Sequence, residues 1–231
     1  MTHKSNGIKI MKNQSGFTLV EIAIVLVIIG LLLGGVMKGQ ELINSAKVKN
    51  LAQDFKQVPI FIYGYQDKYK ALPGDDKSVD GLATGRFGTT GTHCTPTGAK
   101  CTTGNAVIDG AYNATTVTDE SYVFWQHVRL AGLATGSTTT GDSTYPPTNV
   151  DGGRVGVQSA APITTMSGSY FVCSEGIQGK FAKQLDTMMD DGNTATGSMR
   201  VAAGPYIGAA LATIATADIV DGTVYIACLS L

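Results

Sequence analysis

Charge is scarce in this 231-residue sequence: Asp, Glu, Lys and Arg make up 15% of it, against about 25% in an average soluble domain. The formal net charge is −1 and 43% of residues are hydrophobic. That balance excludes a charge-rich disordered chain. It also leaves no bulk positive field for holding nucleic acid. Catalytic signatures are missing as well. No phosphate-cradling G-x-x-x-x-G-K-[ST] loop, no H-E-x-x-H and no G-x-S-x-G elbow occurs. Of three histidines, His3 lies in the N-terminal basic stretch, leaving His93 and His127 as candidate imidazole bases, and His127 reads as a packed or half-exposed residue on an aromatic helix. Cys94 and Cys101 beside His93 lack the paired spacing of a zinc site. We therefore expect no enzyme, no cofactor and no metal.

Apolar residues are concentrated in one place. Phe17 to Met37 reads FTLVEIAIVLVIIGLLLGGVM, 21 residues with Glu21 as the single charge. As a helix this run would measure about 31 Å, close to the hydrocarbon thickness of a bilayer. Lys4, Lys9 and Lys12 precede it with no acid among them, which keeps that end cytoplasmic. An ordinary secretory signal places small residues after its apolar run. Here Lys38, Gly39, Gln40 and Glu41 follow, and the small residue, Gly16, lies in front.

Gly16-Phe17-Thr18-Leu19-Val20-Glu21, behind a short basic leader and ahead of an apolar run, resembles the class III signal of type IV prepilins and type II secretion pseudopilins. The likeness covers residues 12–45. It implies cleavage between Gly16 and Phe17 by a membrane-embedded prepilin peptidase and N-methylation of the new Phe17 amine. It further implies withdrawal of the mature chain from the inner membrane into a helical filament. The implied partners are the prepilin peptidase/methyltransferase, other pilin or pseudopilin subunits, an inner-membrane assembly platform and membrane lipid. The implied location is the bacterial inner membrane, single-pass with a periplasmic C-terminal domain, and then the filament.

The motif has physical content. A side chain at position 16 would obstruct the peptidase. Glu21 lies one helical turn from the future amine, where the helix dipole favours an acid. A lone carboxylate in lipid is nevertheless costly, by about 2.5–3.5 kcal/mol at a helix centre. Pairing with the Phe17 amine of a neighbouring subunit would offset that, so Glu21 is read as an assembly residue. Gly30, Gly34, Gly35 and Gly39 form two G-x-x-x-G spacings that permit close helix contact. They also loosen the helix, by about 1 kcal/mol each relative to Ala. A bendable stretch and a plain glycine-rich membrane helix both fit.

The periodicity then changes. Val48, Leu51, Phe55, Val58, Ile62, Tyr65 and Tyr69 recur at alternating spacings of 3 and 4, one apolar face of an amphipathic helix. Residues 17–70 would make one rod of about 80 Å. Pro59 should bend it, and Leu72-Pro73-Gly74-Asp75 should stop it. A free coiled coil is the rival use of the stripe. Tyr69 to Asp75 resembles a stretch that follows the long helix in many pilin-like proteins, which implies a structural, helix-ending role.

The expected organisation is a removable basic leader (1–16), a transmembrane or filament-core helix (17–37), its amphipathic continuation (38–70), and a periplasmic or extracellular domain (71–231). Residues 76–117 read as loops and short strands. Residues 119–131 read as a helix capped by Thr118 and ended by Gly132, with Tyr122, Trp125, Val128 and Leu133 facing the core. Residues 134–152 read as a polar loop. Strands are expected at 153–158, 168–174 and 223–229, with a helix at 178–189 carrying Phe181, Leu185 and Met188 on one side. The fold class is α+β and pilin-like: a long N-terminal helix packed on a small domain with a mostly antiparallel sheet. No clear copy is present of the C-terminal calcium loop that some pseudopilins carry. Asp190 and Asp191 are therefore read as a polar turn rather than as hard-cation ligands.

All four cysteines, Cys94, Cys101, Cys173 and Cys228, follow the apolar run. The positive-inside reading puts them where disulfides form. Three pairings are possible. The preferred set is Cys94–Cys101, closing a short loop, with Cys173–Cys228, joining a middle strand to the last. Residues 78–231 hold seven bases and twelve acids, which disfavours phosphate binding. Asn113-Ala114-Thr115 is a short glycosylation sequon. The functional expectation is a structural subunit of a type IV pilus or type II secretion pseudopilus. The alternative is a minor tip pilin acting as an adhesin or substrate-binding module.

Overall fold

A computed structural model describes residues 16–94 and 101–231. The expected leader, with Lys4, Lys9 and Lys12, lies outside the described residues apart from Gly16. Helix α1 spans Leu19–Tyr69, followed by α2 (Glu120–Leu130), β1 (Val155–Gln158), β2 (Phe171–Gln178), α3 (Gly179–Met189), β3 (Met199–Ala202) and β4 (Val224–Ser230). The strands form one sheet in the order β1-β2-β4-β3, and all three pairings are antiparallel. The chain divides into two compact units, one up to Ile43 and one from Asn44 to Leu231. This is a long helix followed by a small α+β domain with an antiparallel sheet, a pilin-like fold.

Within the first unit α1 is uninterrupted through Gly30, Gly34, Gly35 and Gly39. A Cβ added at any of the four would meet nothing within 4 Å. Among the described residues, therefore, no packing requires a glycine there.

Within the second unit α1 buries Val48, Leu51, Ala52, Phe55, Val58, Ile62 and Tyr65, while Tyr69 is half-buried. This stripe belongs to one core with Phe124, Val128, Val157, Phe181 and Leu185, so its partner is the chain's own domain rather than a coiled-coil mate. α1 continues through Pro59 and stops at Tyr69, where Lys70 takes φ 56°. Gly74 then turns the chain at φ +93°, with a Cβ there set 2.6 Å from the Glu120 carbonyl. Only glycine accommodates that combination. Asp76 secures the corner: its Oδ2 accepts the Tyr65 hydroxyl at 2.8 Å and Arg86 Nε at 2.6 Å.

The structure differs from expectation in several places. No strand forms in the described residues between 76 and 117. Side chains serve this backbone instead of a ladder. The amides of Thr92, Ile108, Asp109 and Tyr112 donate to Gln126, Ser159, Glu120 and Gln158. Asp119, not Thr118, is the N-cap of α2. Met188 is 46% exposed. The inner face of α3 is Phe181, Ala182, Leu185 and Asp186, and Met189 rather than Met188 packs against the core. β3 was not foreseen. β2 is longer than predicted, crossing a register shift between Ser174 and Ile177 where Gly176 has φ +70°.

Candidate functional site

Gly16, Phe17 and Thr18 precede the first turn of α1. Thr18 is placed as the N-cap, and Glu21 is the third helical residue. Glu21 Oε2 accepts both the Thr18 amide and the Thr18 hydroxyl at 2.8 Å, and the Thr18 hydroxyl oxygen accepts the Glu21 amide at 3.3 Å. This is a capping box, satisfying amides that the helix start would otherwise leave unpaired. Thr18 is the residue our sequence reading missed at this site. Its signal was available as the Thr-x-x-Glu spacing ahead of an apolar run.

The apolar side chains around it are exposed. Phe17 is 82% exposed and Leu19 91%, and the most apolar 18-residue window of α1, of mean hydropathy 2.8, has none of its residues buried. By length and composition α1 can cross a membrane. Gly16 also stands clear, with nothing within 4 Å of an added Cβ.

The other candidates occupy structural positions. His127 is fully buried. Its Nδ1 accepts the Gly74 amide at 2.9 Å, and Nε2 lies 2.9 Å from the Thr92 carbonyl. An acceptor at Nδ1 fixes the proton on Nε2. Burial lowers its pKa to about 4, so the ring is a neutral bridge between two backbone segments. Glu120 is equally buried; burial pushes its carboxyl up to about 7, against a hydrogen bond from the Asp109 amide. Arg129 donates to the carbonyls of Thr135, Ser137 and Tyr145, tying down the polar loop.

Asp75 accepts amides from Gly104, Asn105 and Ala106. Both of its oxygens are thus engaged by the fold. Asn113 Nδ2 donates to Glu175 Oε1 and the Tyr206 carbonyl, at 3.0 Å each, so its amide is committed to packing. Cys94 is bonded to Cys101 and Cys173 to Cys228. No thiolate is left among them for zinc. The second bond links directly paired positions of β2 and β4.

No curated protein and no solved structure matches the chain. One family model does, that of the prokaryotic N-terminal methylation motif, over residues 11–37. These residues contain Gly16, Phe17, the Thr18–Glu21 capping box and the apolar part of α1. The chain carries the prepilin-type N-terminal methylation motif, and that motif together with its long apolar N-terminal helix is consistent with a type IV pilin or pseudopilin.

Proposed function

We propose that the protein is a structural subunit of a type IV pilus or a type II secretion pseudopilus. The observation that carries this reading is the motif Gly16 to Glu21 at the head of a helix whose apolar side chains are exposed. Prepilin peptidase cuts after Gly16, where no side chain hinders approach. The Phe17 amine is methylated and keeps its positive charge. Until assembly, residues 17–37 hold the subunit in the inner membrane, with the domain on the periplasmic side as the basic leader directs.

On extraction the apolar surface passes from lipid to the corresponding surface of other subunits. Glu21 neutralises the amine of a neighbour in that dry core, where an unpaired carboxylate would be costly. Before assembly the Thr18 hydrogen bonds hold the Glu21 carboxylate at the helix start. The disulfide-bonded domain accords with an oxidising compartment.

Mass spectrometry of the purified protein tests the reading. It predicts a chain beginning at N-methylated Phe17. An intact Met1 start, or a cut after Met37, would contradict it.

A further inference from the structure

A second group of acidic residues stands apart from the N-terminal motif and does not depend on it. α3 is amphipathic, and its buried face ends with a charge: Leu185 is followed by Asp186, 0% exposed. Neither carboxylate oxygen of Asp186 has a hydrogen-bond partner. The Gly192 amide exerts a small favourable pull on the carboxylate without meeting hydrogen-bond geometry. Burying a carboxylate without a partner costs several kcal/mol in its charged form. Such a group calls for either a proton or a cation.

The surrounding chain supplies two more acids. α3 ends at Met189, and the chain turns through Asp190, Asp191 and Gly192, whose φ is +80°. Asp190 Oδ2 accepts the Met199 amide at 2.8 Å. Asp191 Oδ1 accepts the Asn193 amide at 2.8 Å, and its Oδ2 accepts the Thr196 hydroxyl at 2.7 Å. These bonds fix both side chains. Gly197 leaves room for Asp190, because a Cβ there would collide with Oδ2.

One oxygen from each of Asp186, Asp190 and Asp191 lies within 4.8 Å of the other two. Among the described residues none of the three forms an ion pair. Positive charge reaches the cluster from Arg200, through Asp191.

We propose that Asp186, Asp190 and Asp191 form a calcium site that ties the end of α3 to the start of β3. Calcium takes oxygen ligands at 2.3–2.6 Å, so two ligands on opposite sides of the ion are about 4.6–5.2 Å apart. Oxygens within 4.8 Å of one another can therefore share one such ion. Magnesium demands near-octahedral geometry and keeps several waters, so it is ordinarily bound by one or two carboxylates, whereas three carboxylates suit the larger, more flexible shell of calcium. The ion would neutralise the buried Asp186 and relieve repulsion among the three acids. That repulsion, after burial itself, pushes the Asp186 carboxyl up to about 6. The consequence is structural: the 190–197 turn connects α3 to β3, and its buried Thr194 donates to the Ile214 carbonyl at 2.8 Å.

The test uses the full chain in detergent micelles, titrated with calcium chloride by calorimetry and melted in calcium or in chelator. We expect saturable one-to-one binding in the range of about 10⁻⁴–10⁻³ M, as in extracellular modules. At saturating millimolar calcium, Tm should rise by about 3–10 °C over chelator. Asp186→Asn and Asp191→Asn should each abolish both responses. Asp191 is exposed, so its variant keeps the test decisive if Asp186→Asn does not fold. No saturable binding to the wild-type chain would overturn the proposal, and the cluster would then be a protonated acid in a polar turn. So would an equal response to magnesium, or a variant that responds as the wild type does.

Discussion

Residues 17–43 and residues 44–231 obey opposite rules. In the second unit a core of apolar side chains is covered and, Asp186 apart, its large buried polar groups are held by hydrogen bonds: Phe55 is 0% exposed, and even the buried His127 has a hydrogen-bond partner on each ring nitrogen. In the first unit Leu26, Ile28 and Leu31 are all more than half exposed. Four glycines there have no neighbour to make room for. A folded chain in water does not leave a surface of that kind uncovered without a partner. On the proposed function, the features of residues 17–43 answer to contacts outside the chain, with peptidase, lipid and other subunits. Those of residues 44–231 answer to the chain itself.

The comparison can be broken most sharply at Gly16. Gly16→Val should abolish leader removal, an all-or-none shift in the mass of the purified protein. It should leave the melting of the domain unchanged, since nothing among the described residues lies within 4 Å of a Cβ at that position.

Core truncations provide a second contrast. Phe55→Ala should destabilise the domain by about 3–5 kcal/mol in chemical denaturation, the usual result of emptying a buried aromatic site. Ile28→Ala, in the uncovered unit, should leave the same unfolding transition in place. An Ile28→Ala effect as large as that of Phe55→Ala would dissolve the distinction between the units.

A smaller effect concerns pH. His127 has a folded pKa of about 4 and an unfolded one of about 6.5. Below the unfolded value the unfolded chain takes a proton that the folded chain refuses, so stability falls as pH drops from about 6.5 towards 4. His127→Gln lacks this term. The deficit of that variant relative to wild type should shrink by about 2–3 kcal/mol between pH 7 and pH 4.5. A constant deficit across that range would show that the ring is not held neutral.

How far these two regions could be read in advance depends on the kind of signal. The stripe from Val48 to Tyr65 was legible because a helix repeats its buried face every 3 to 4 residues. The N-terminal motif was legible because its chemistry is local in sequence. β3 was not, since the four residues of Met199–Ala202 make too short a run for an alternating pattern, and its pairing with β4 is long-range. The polar interior of α2 was hidden for a related reason. Glu120, Gln126 and Arg129 lie off the predicted core face of Tyr122, Trp125 and Val128, and His127 reads as packed or half-exposed; only the folded loops at 92, 109 and 135–145 supply the partners that bring all four inside. Asp186 looked like one more polar residue until the orientation of α3 put it beside Leu185 in the core.

Glu21 is where the comparison meets the proposed function. Its one hydrogen-bond partner among the described residues is Thr18, yet it is the only charge in a 21-residue apolar run. The account's central claim is that Glu21 acts between subunits. Quantifying Glu21→Ala in purified surface or pseudopilus filaments, alongside the mass of its mature N-terminus, tests that claim most directly. The account predicts a chain that still begins at N-methylated Phe17 and melts as the wild type does, but is depleted from filaments. Incorporation at the wild-type level would contradict it.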